Sequence, residues 1–420
     1  MLTALEQELL VLQGRVDTQR TTVGVLEATQ FSPTTKLKGL ANFDLGAYGY
    51  GGTAKQGNRG PGGVESLESA LTFNYQVRLI FDSSFTGNDL LRIRLISGNY
   101  ADSAFNGGQY RATKLVRTSQ SQAGPEAVDI DRVYYSFPLN FSWHATVGSR
   151  VRNTEMLVIQ PSVYQSSLGD FLYGTFGASG VYNKQTGGGV GITWRQHRPQ
   201  ARPYIAAALN TVASNASEGD PSEGGLLTDR SAGSLLAQLG VVGPGWGVVA
   251  GYRYGQCGTD IRVGTQYTYN ASKTACDELR AGAATNNLAV NVYWQPRQRG
   301  WLPSISTAWG LTAFNQGYAS AIQTRQAQSW KVGLQWKDVL AKGNRAGLAV
   351  GAVPFTTARF DGQTPRDGNT TWEGWYDIRF SDAISLTPAL FYQNRPAGQN
   401  TPRGETFNAL GGLLRLTLQF

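Results

Sequence analysis

Two guanidiniums, Arg92 and Arg94, stand two residues apart in Leu91-Arg-Ile93-Arg-Leu95, and Arg78 and Asp82 alternate with apolar neighbours just upstream. In an extended chain residues i and i+2 share a face, so these charges converge on one polar surface, and rows of Arg and Lys favour anions. The same alternation gives Lys331, Glu373, Asp377, Arg379 and Arg415 to the polar face, where cations outnumber acids. A second reading leaves these groups as hydrating charges that pair across strands, Asp377 with Arg379 for example. The polar stretch from Asn99 to Asp131 adds Tyr110, Arg111, Lys114, Arg117, Glu126 and Asp129. It either folds inward over that face as a constriction or stands in solvent.

Other chemistries have few residues to work with. His144 and His197 are the two histidines, and His144 shares the polar face of its segment with Ser142 and Thr146, which suits a hydrogen bond better than a Ser-His-acid site. The run Gly187-Gly-Gly189-Val-Gly191 lacks the Lys and opening helix of a phosphate loop, and a turn into a strand at Ile192 and Trp194 suffices for it. No cluster of His, Cys and carboxylates has metal-ligand spacing, so neither metal nor cofactor is expected, and no enzyme. Cys257 and Cys276, in one polar stretch, read as a local disulfide of an oxidising compartment, with two free thiols as the alternative.

The elements that position these residues follow from composition and period. Of 420 residues 41% are hydrophobic and 16% are charged, too few charges for an ordinary soluble chain. Yet no apolar run reaches the 18 to 20 residues of a spanning helix. The net charge of +8 comes from singly dispersed basic residues without a binding motif, so nucleic acid is not an expected partner. From Leu71 to Phe81 every odd position is apolar or aromatic, and the pattern recurs around Phe141/Trp143, Trp330/Val332/Leu334/Trp336, Trp372/Tyr376/Ile378/Phe380 and Leu410 to Phe420. Segments of about ten residues, aromatics at their ends, and connections alternately short (Gly243-Pro244-Gly245) and long (Asn99 to Asp131, Asn210 to Ser231) favour a transmembrane barrel over a soluble sandwich. The reading is therefore all-β: an antiparallel barrel over 34–420, with about 16 strands enclosing an aqueous lumen.

The first thirty residues follow another period. Leu2, Leu5, Leu9, Leu12, Val16, Gln19, Val23 and Leu26 alternate spacings of three and four, a heptad seam with one polar position. Residues 1–30 read as a coiled-coil helix that makes an oligomer, or as an amphipathic helix packed on a domain. No signal-peptide pattern precedes the repeat, so the chain reads as a processed or truncated product that starts partway along a helix.

Several stretches carry a resemblance. Gly24 to Gly39, Tyr75 to Leu95, Asp129 to Pro138, Gly224 to Arg230 with Leu236 to Gly240, and Glu373 to Pro388 resemble cyanobacterial outer-membrane porins that join an S-layer-homology domain to an OprB-type barrel. The resemblance implies a trimeric channel in the outer membrane, bounded by lipid, for passive diffusion of ions and small hydrophilic solutes, with sugars or iron as further candidates. It also places residues 1–30 in the periplasm. The wall-binding domain of that family is missing here, so a cell-wall partner is expected only through a missing N-terminal domain. Arg78, Arg92, Arg94, Arg111, Lys114, Arg117, Arg379 and Arg415 are the expected pore-lining or constriction residues. The rival reading is structural: a barrel that tethers the outer membrane to the wall, with transport incidental.

Overall fold

Alternating residues extend and pair because a barrel wall buries one face in its lumen and shows the other to lipid. The computed structural model describes residues 34–67, 69–107, 109–115, 124, 126–165, 176–198, 202–257, 261–272, 282–297, 300–319 and 322–420. The heptad stretch 1–30, Arg117 and Cys276 lie outside them. The strands are β1 (Thr35–Gly51), β2 (Thr72–Ser83), β3 (Leu90–Gly98), β4 (Asp129–Pro138), β5 (Trp143–Arg152), β6 (Thr186–Arg195), β7 (Tyr204–Ala213) and β8 (Gly233–Gly243). Then come β9 (Trp246–Gln256), β10 (Ala284–Trp294), β11 (Ser304–Phe314), β12 (Thr324–Lys337), β13 (Arg345–Arg359), β14 (Thr370–Arg379), β15 (Ile384–Asn394) and β16 (Asn408–Gln419). Each pairs antiparallel with its sequence neighbours, and β1 pairs with β16 to close the barrel, with Asp44 opposite Arg415.

The parity read from sequence holds around the wall. Leu45, Leu209, Leu239, Leu288, Leu348, Leu390 and Leu414 are exposed on the outside, while Asn42, Asp44, Gln76, Asn287, Asn291, Lys331, Glu373 and Asp377 are buried on the inside. Most exposed aromatics collect towards both ends of this band, Phe85, Phe141, Trp143, Trp294, Trp301 and Phe380 at one, Phe73, Tyr254, Trp372 and Tyr392 at the other, while Trp309 and Trp330 face each other at mid-strand. Such belts sit at the two membrane–water boundaries. Connections at the first end are short, as at 84–89, 139–142, 244–245 and 380–383, whereas 52–71, 99–128, 153–185, 214–232 and 257–283 make the opposite end long-looped.

The structure departs from the sequence reading at one strand. Gly187 to Gly191 form no turn but lie within β6. A side chain at Gly191 would press on Met156 of the preceding connection, 2.7 Å from its sulfur, so glycine admits a packed segment there.

Candidate functional site

A barrel of sixteen strands is too wide for wall side chains to fill. Here connections from the long-loop end fill much of it. The 153–185 connection, which the sequence reading did not single out, crosses from β5 to the far wall through its described parts, 153–165 and 176–185. Ile159 exchanges two hydrogen bonds with the Gln238 side chain on β8, donating to Oε1 at 3.0 Å and accepting from Nε2 at 3.0 Å. The Tyr164 amide donates to Ser306 Oγ on β11 at 3.0 Å. Its hydroxyl donates to Glu373 Oε1 at 2.9 Å and accepts from Trp375 Nε1 at 2.9 Å, both on β14. The returning limb is held by Asn291 Nδ2 on the Phe176 carbonyl at 2.9 Å and Ser329 Oγ on the Gly177 carbonyl at 3.0 Å. Gly333 makes the contact possible, since a Cβ there would fall 2.8 Å from the Tyr164 ring.

The 99–128 connection also folds inward through its described part, 99–115. Phe105 lies 4.9 Å, ring to ring, from Tyr48, and the Tyr100 hydroxyl donates to Asp44 Oδ2 at 2.6 Å. A third inward segment follows β9 and carries α1 (Gln266–Ser272). Arg111 joins the two, donating from Nε to the Arg262 carbonyl at 3.1 Å with its guanidinium 4.7 Å above the Tyr269 ring. Asp367, wholly buried, anchors this segment: it accepts from Thr265 and Thr268 hydroxyls and from the Thr356 and Gln399 amides. Burial pushes its carboxyl above the usual carboxylate range, although those hydrogen bonds pull the other way.

The expected pore-lining residues now separate into three groups. Arg92 and Arg379 reach the open lumen at the short-turn end: Arg92 grips Asp82 with Nε at 2.7 Å and Nη2 at 2.8 Å, and Arg379 stands 3.9 Å from Asp382. The expected pairing of Asp377 with Arg379 is not formed. Asp377 pairs instead with Arg345 at 2.6 Å, because cross-strand register puts those two opposite each other whereas residues i and i+2 run side by side along a strand. Arg94 belongs to a second group at mid-wall, bonded to Asp131 at 2.6 Å and near Glu155, which also accepts from Arg132 at 2.7 Å; Arg78 lies on the same face. The third group is enclosed by the inward connections. Lys114 donates to Asn106 Oδ1 at 2.6 Å, and Arg415, fully buried, donates from Nε to Asp44 Oδ1 at 2.6 Å. Arg111 is spent on holding two connections together.

Sequence reasoning put Lys337 on the polar face of its segment, as it did Arg92 and Arg379, but missed Lys36 and Lys38 on β1, Arg195 on β6 and Arg345 on β13, which complete a basic ring with them. Parity from Asn42 and Asp44 points Lys36 and Lys38 inward, so that signal was available; at Arg195 the glycine run obscured it. His144 is exposed at this end. Cys257, at the exit of β9, is disulfide-bonded.

A closed sixteen-stranded barrel with an apolar outer band, two aromatic belts and a polar lumen narrowed by its own connections is an outer-membrane channel of the porin class. The chain belongs to one family within it: the carbohydrate-selective porins of the OprB family, whose pattern matches residues 4–420. Among curated relatives, an uncharacterized protein of Synechocystis sp. (sll0772) is 27% identical over 93% of this chain and 70% of its own. An uncharacterized protein of Nostoc sp. (alr4550) is 27% identical over 98% and 70%. Similar solved structures include OprB of Pseudomonas putida, with a TM-score of 0.55 and 11% identity over 92% of this chain and 94% of that one. An anion-selective porin from Comamonas acidovorans has a TM-score of 0.53 and 11% identity over 92% and 99%. Likeness at this identity carries the fold.

Proposed function

We propose that this porin passes inorganic ions and small hydrophilic solutes by passive diffusion and favours anions. One observation carries the reading: in Lys38–Asp82, Arg92–Asp82 and Arg345–Asp377 at the short-turn mouth the cation is the exposed partner, while in Arg379–Asp382 both groups are exposed and the acid more so. Side-chain exposure is 58% for Lys38 and 26% for Arg92 against 9% for the Asp82 they share, and 31% for Arg345 against 3% for Asp377. A solute entering there meets ammonium and guanidinium groups, with Asp382 on the rim as the exposed acid. Exposed like charges in a confined lumen bias permeation. Inward aromatics argue against sugar as the main cargo, since Tyr48, Tyr100, Phe105, Tyr110, Tyr164 and Trp375 are buried against one another and the inward connections. The anion-selective porin from Comamonas acidovorans offers a parallel on the same fold.

On the same reading the short-turn end faces the periplasm, where residues 1–30 join copies of the chain as a coiled coil, in a trimer. Single-channel recording in planar bilayers with a salt-gradient reversal potential tests the function. Discrete steps with an anion-favouring potential are expected, and a potential that moves towards cations when Arg92 and Arg94 are both replaced by Gln. A cation-favouring native channel overturns the selectivity. Complete lack of stable steps overturns transport and leaves the tether.

A further inference from the structure

We propose that a slot on the outer wall, beneath the 214–232 connection, holds an acyl chain of a membrane lipid whose headgroup has no net negative charge. Unlike the inward connections, this one stays outside and overhangs β5 to β9. Beneath it the wall thins to Gly188, Ala213 and Gly233, leaving a cavity of about 630 Å³. Leu226 and Leu227 of the connection line it from above and are 61% and 102% exposed, with Leu227 at a φ of 60°. A large apolar side chain held exposed on left-handed backbone costs free energy that an apolar occupant would return.

The roof is built before any ligand arrives. Asn215 Nδ2 lies 3.2 Å from the Glu223 carbonyl and 3.0 Å from that of Arg230, its Oδ1 accepts from the Ala232 amide at 2.8 Å, and Gln256 on β9 donates to the Thr228 carbonyl at 3.0 Å. Three observations choose the occupant. The slot continues downward into the exposed Leu209, Leu239 and Val190 of the lipid-facing band, so it opens onto the bilayer. Its wall side is lined by Val147, Val190 and Leu235 beside the small residues, a hydrocarbon surface that suits an acyl chain. Finally, the roof rests on the wall at one side, where a Cβ on Gly188 would lie 2.7 Å from the Ala216 methyl, so the slot is closed there and narrow beyond it. A single flexible chain enters such a space, whereas the wall of a neighbouring barrel does not.

The headgroup follows from charge. The roof carries Glu218, Asp220, Glu223 and Asp229 against Arg230 alone. Hydrogen bonds from Ser222 hold the Asp220 carboxyl below its ordinary range, so it stays ionised. An anionic headgroup is repelled there, and a zwitterionic or sugar headgroup is not.

Native mass spectrometry of the delipidated, refolded full chain in micelles, supplied with phosphatidylcholine or phosphatidylglycerol, tests this. Retained phosphatidylcholine is expected on the native protein, falling by about tenfold in Thr211→Trp, which fills the slot from the exposed side of β7. Phosphatidylglycerol is expected to be retained by about tenfold less. Conductance should stay at the native value in the variant, which separates this proposal from the channel reading. Val190→Trp replaces Thr211→Trp if the latter does not fold. Equal retention by native and filled proteins, equal retention of the two lipids, no lipid on the native protein, or disulfide cross-linking of copies through Ser217→Cys overturns the proposal.

Discussion

At the short-turn mouth Arg345 stands partly in water over Asp377, whereas at mid-barrel Arg415 and Asp44 form an ion pair with exposures of 0% and 1%. Both pairs bridge neighbouring strands inside the same lumen. What separates them is the 99–115 segment, which lays Tyr100 over Asp44 and Phe105 beside it. A solvent-exposed pair contributes about 0–1 kcal/mol, while removing one partner of a buried pair costs about 3–5 kcal/mol. The covered part of the lumen therefore serves as structure, and the proposed filter falls to the open end, although residue types are the same in both.

The largest expected effect comes from breaking the covered pair. Asp44→Leu should destabilise the barrel by about 3–5 kcal/mol in urea unfolding from micelles, and Asp44→Leu with Arg415→Leu should recover much of the loss. If the single change costs no more than Arg345→Gln, the two ends do not differ as described. Next comes Tyr164→Phe, which takes a donor from Glu373 and an acceptor from Trp375 at a cost of about 1–3 kcal/mol. Single-channel current should rise and become noisier as the 153–185 connection loosens; an unchanged current would mean that this strap does not narrow the path.

Asp367 gives a pH-dependent comparison within the covered end. A carboxyl raised above its unfolded value contributes stability in full below about pH 3.9 and loses it as pH rises through the folded value. Around it stand Arg366, Arg395 and Tyr267. Amide exchange of the segment carrying α1 should thus speed up with rising pH beyond its intrinsic trend, and Asp367→Asn should flatten the excess. The smallest effect on stability belongs to Arg379→Gln, whose partner Asp382 is fully exposed, under about 1 kcal/mol, while Arg345→Gln costs more because it strands the buried Asp377. With both changes the reversal potential should nevertheless shift towards cations, and an unshifted potential would remove the mouth ring from the filter.

Much of this architecture was legible from residue types. The alternation at Leu71 to Phe81 and Leu410 to Phe420 named the outward face, and Gly243-Pro244-Gly245 marked a hairpin. The strap was not legible: beside Lys331, Glu373 and Trp375, its wall anchors include Gln238, Asn291, Ser306 and Ser329, neutral polar residues on four strands. Parity turns them inward without saying which backbone they will meet.

The 153–185 and 214–232 connections make the same point. Both are long, polar and glycine-containing, yet one crosses the lumen and the other overhangs the lipid-facing wall. By itself the sequence determined the period-two wall, the sign of its polar face and the asymmetry of its two ends, since these rest on the i, i+2 geometry of extended chain. Only the tertiary structure decided which charges meet water, because that depends on which distant connection covers them and on the glycines, Gly333 and Gly191, that leave room for it.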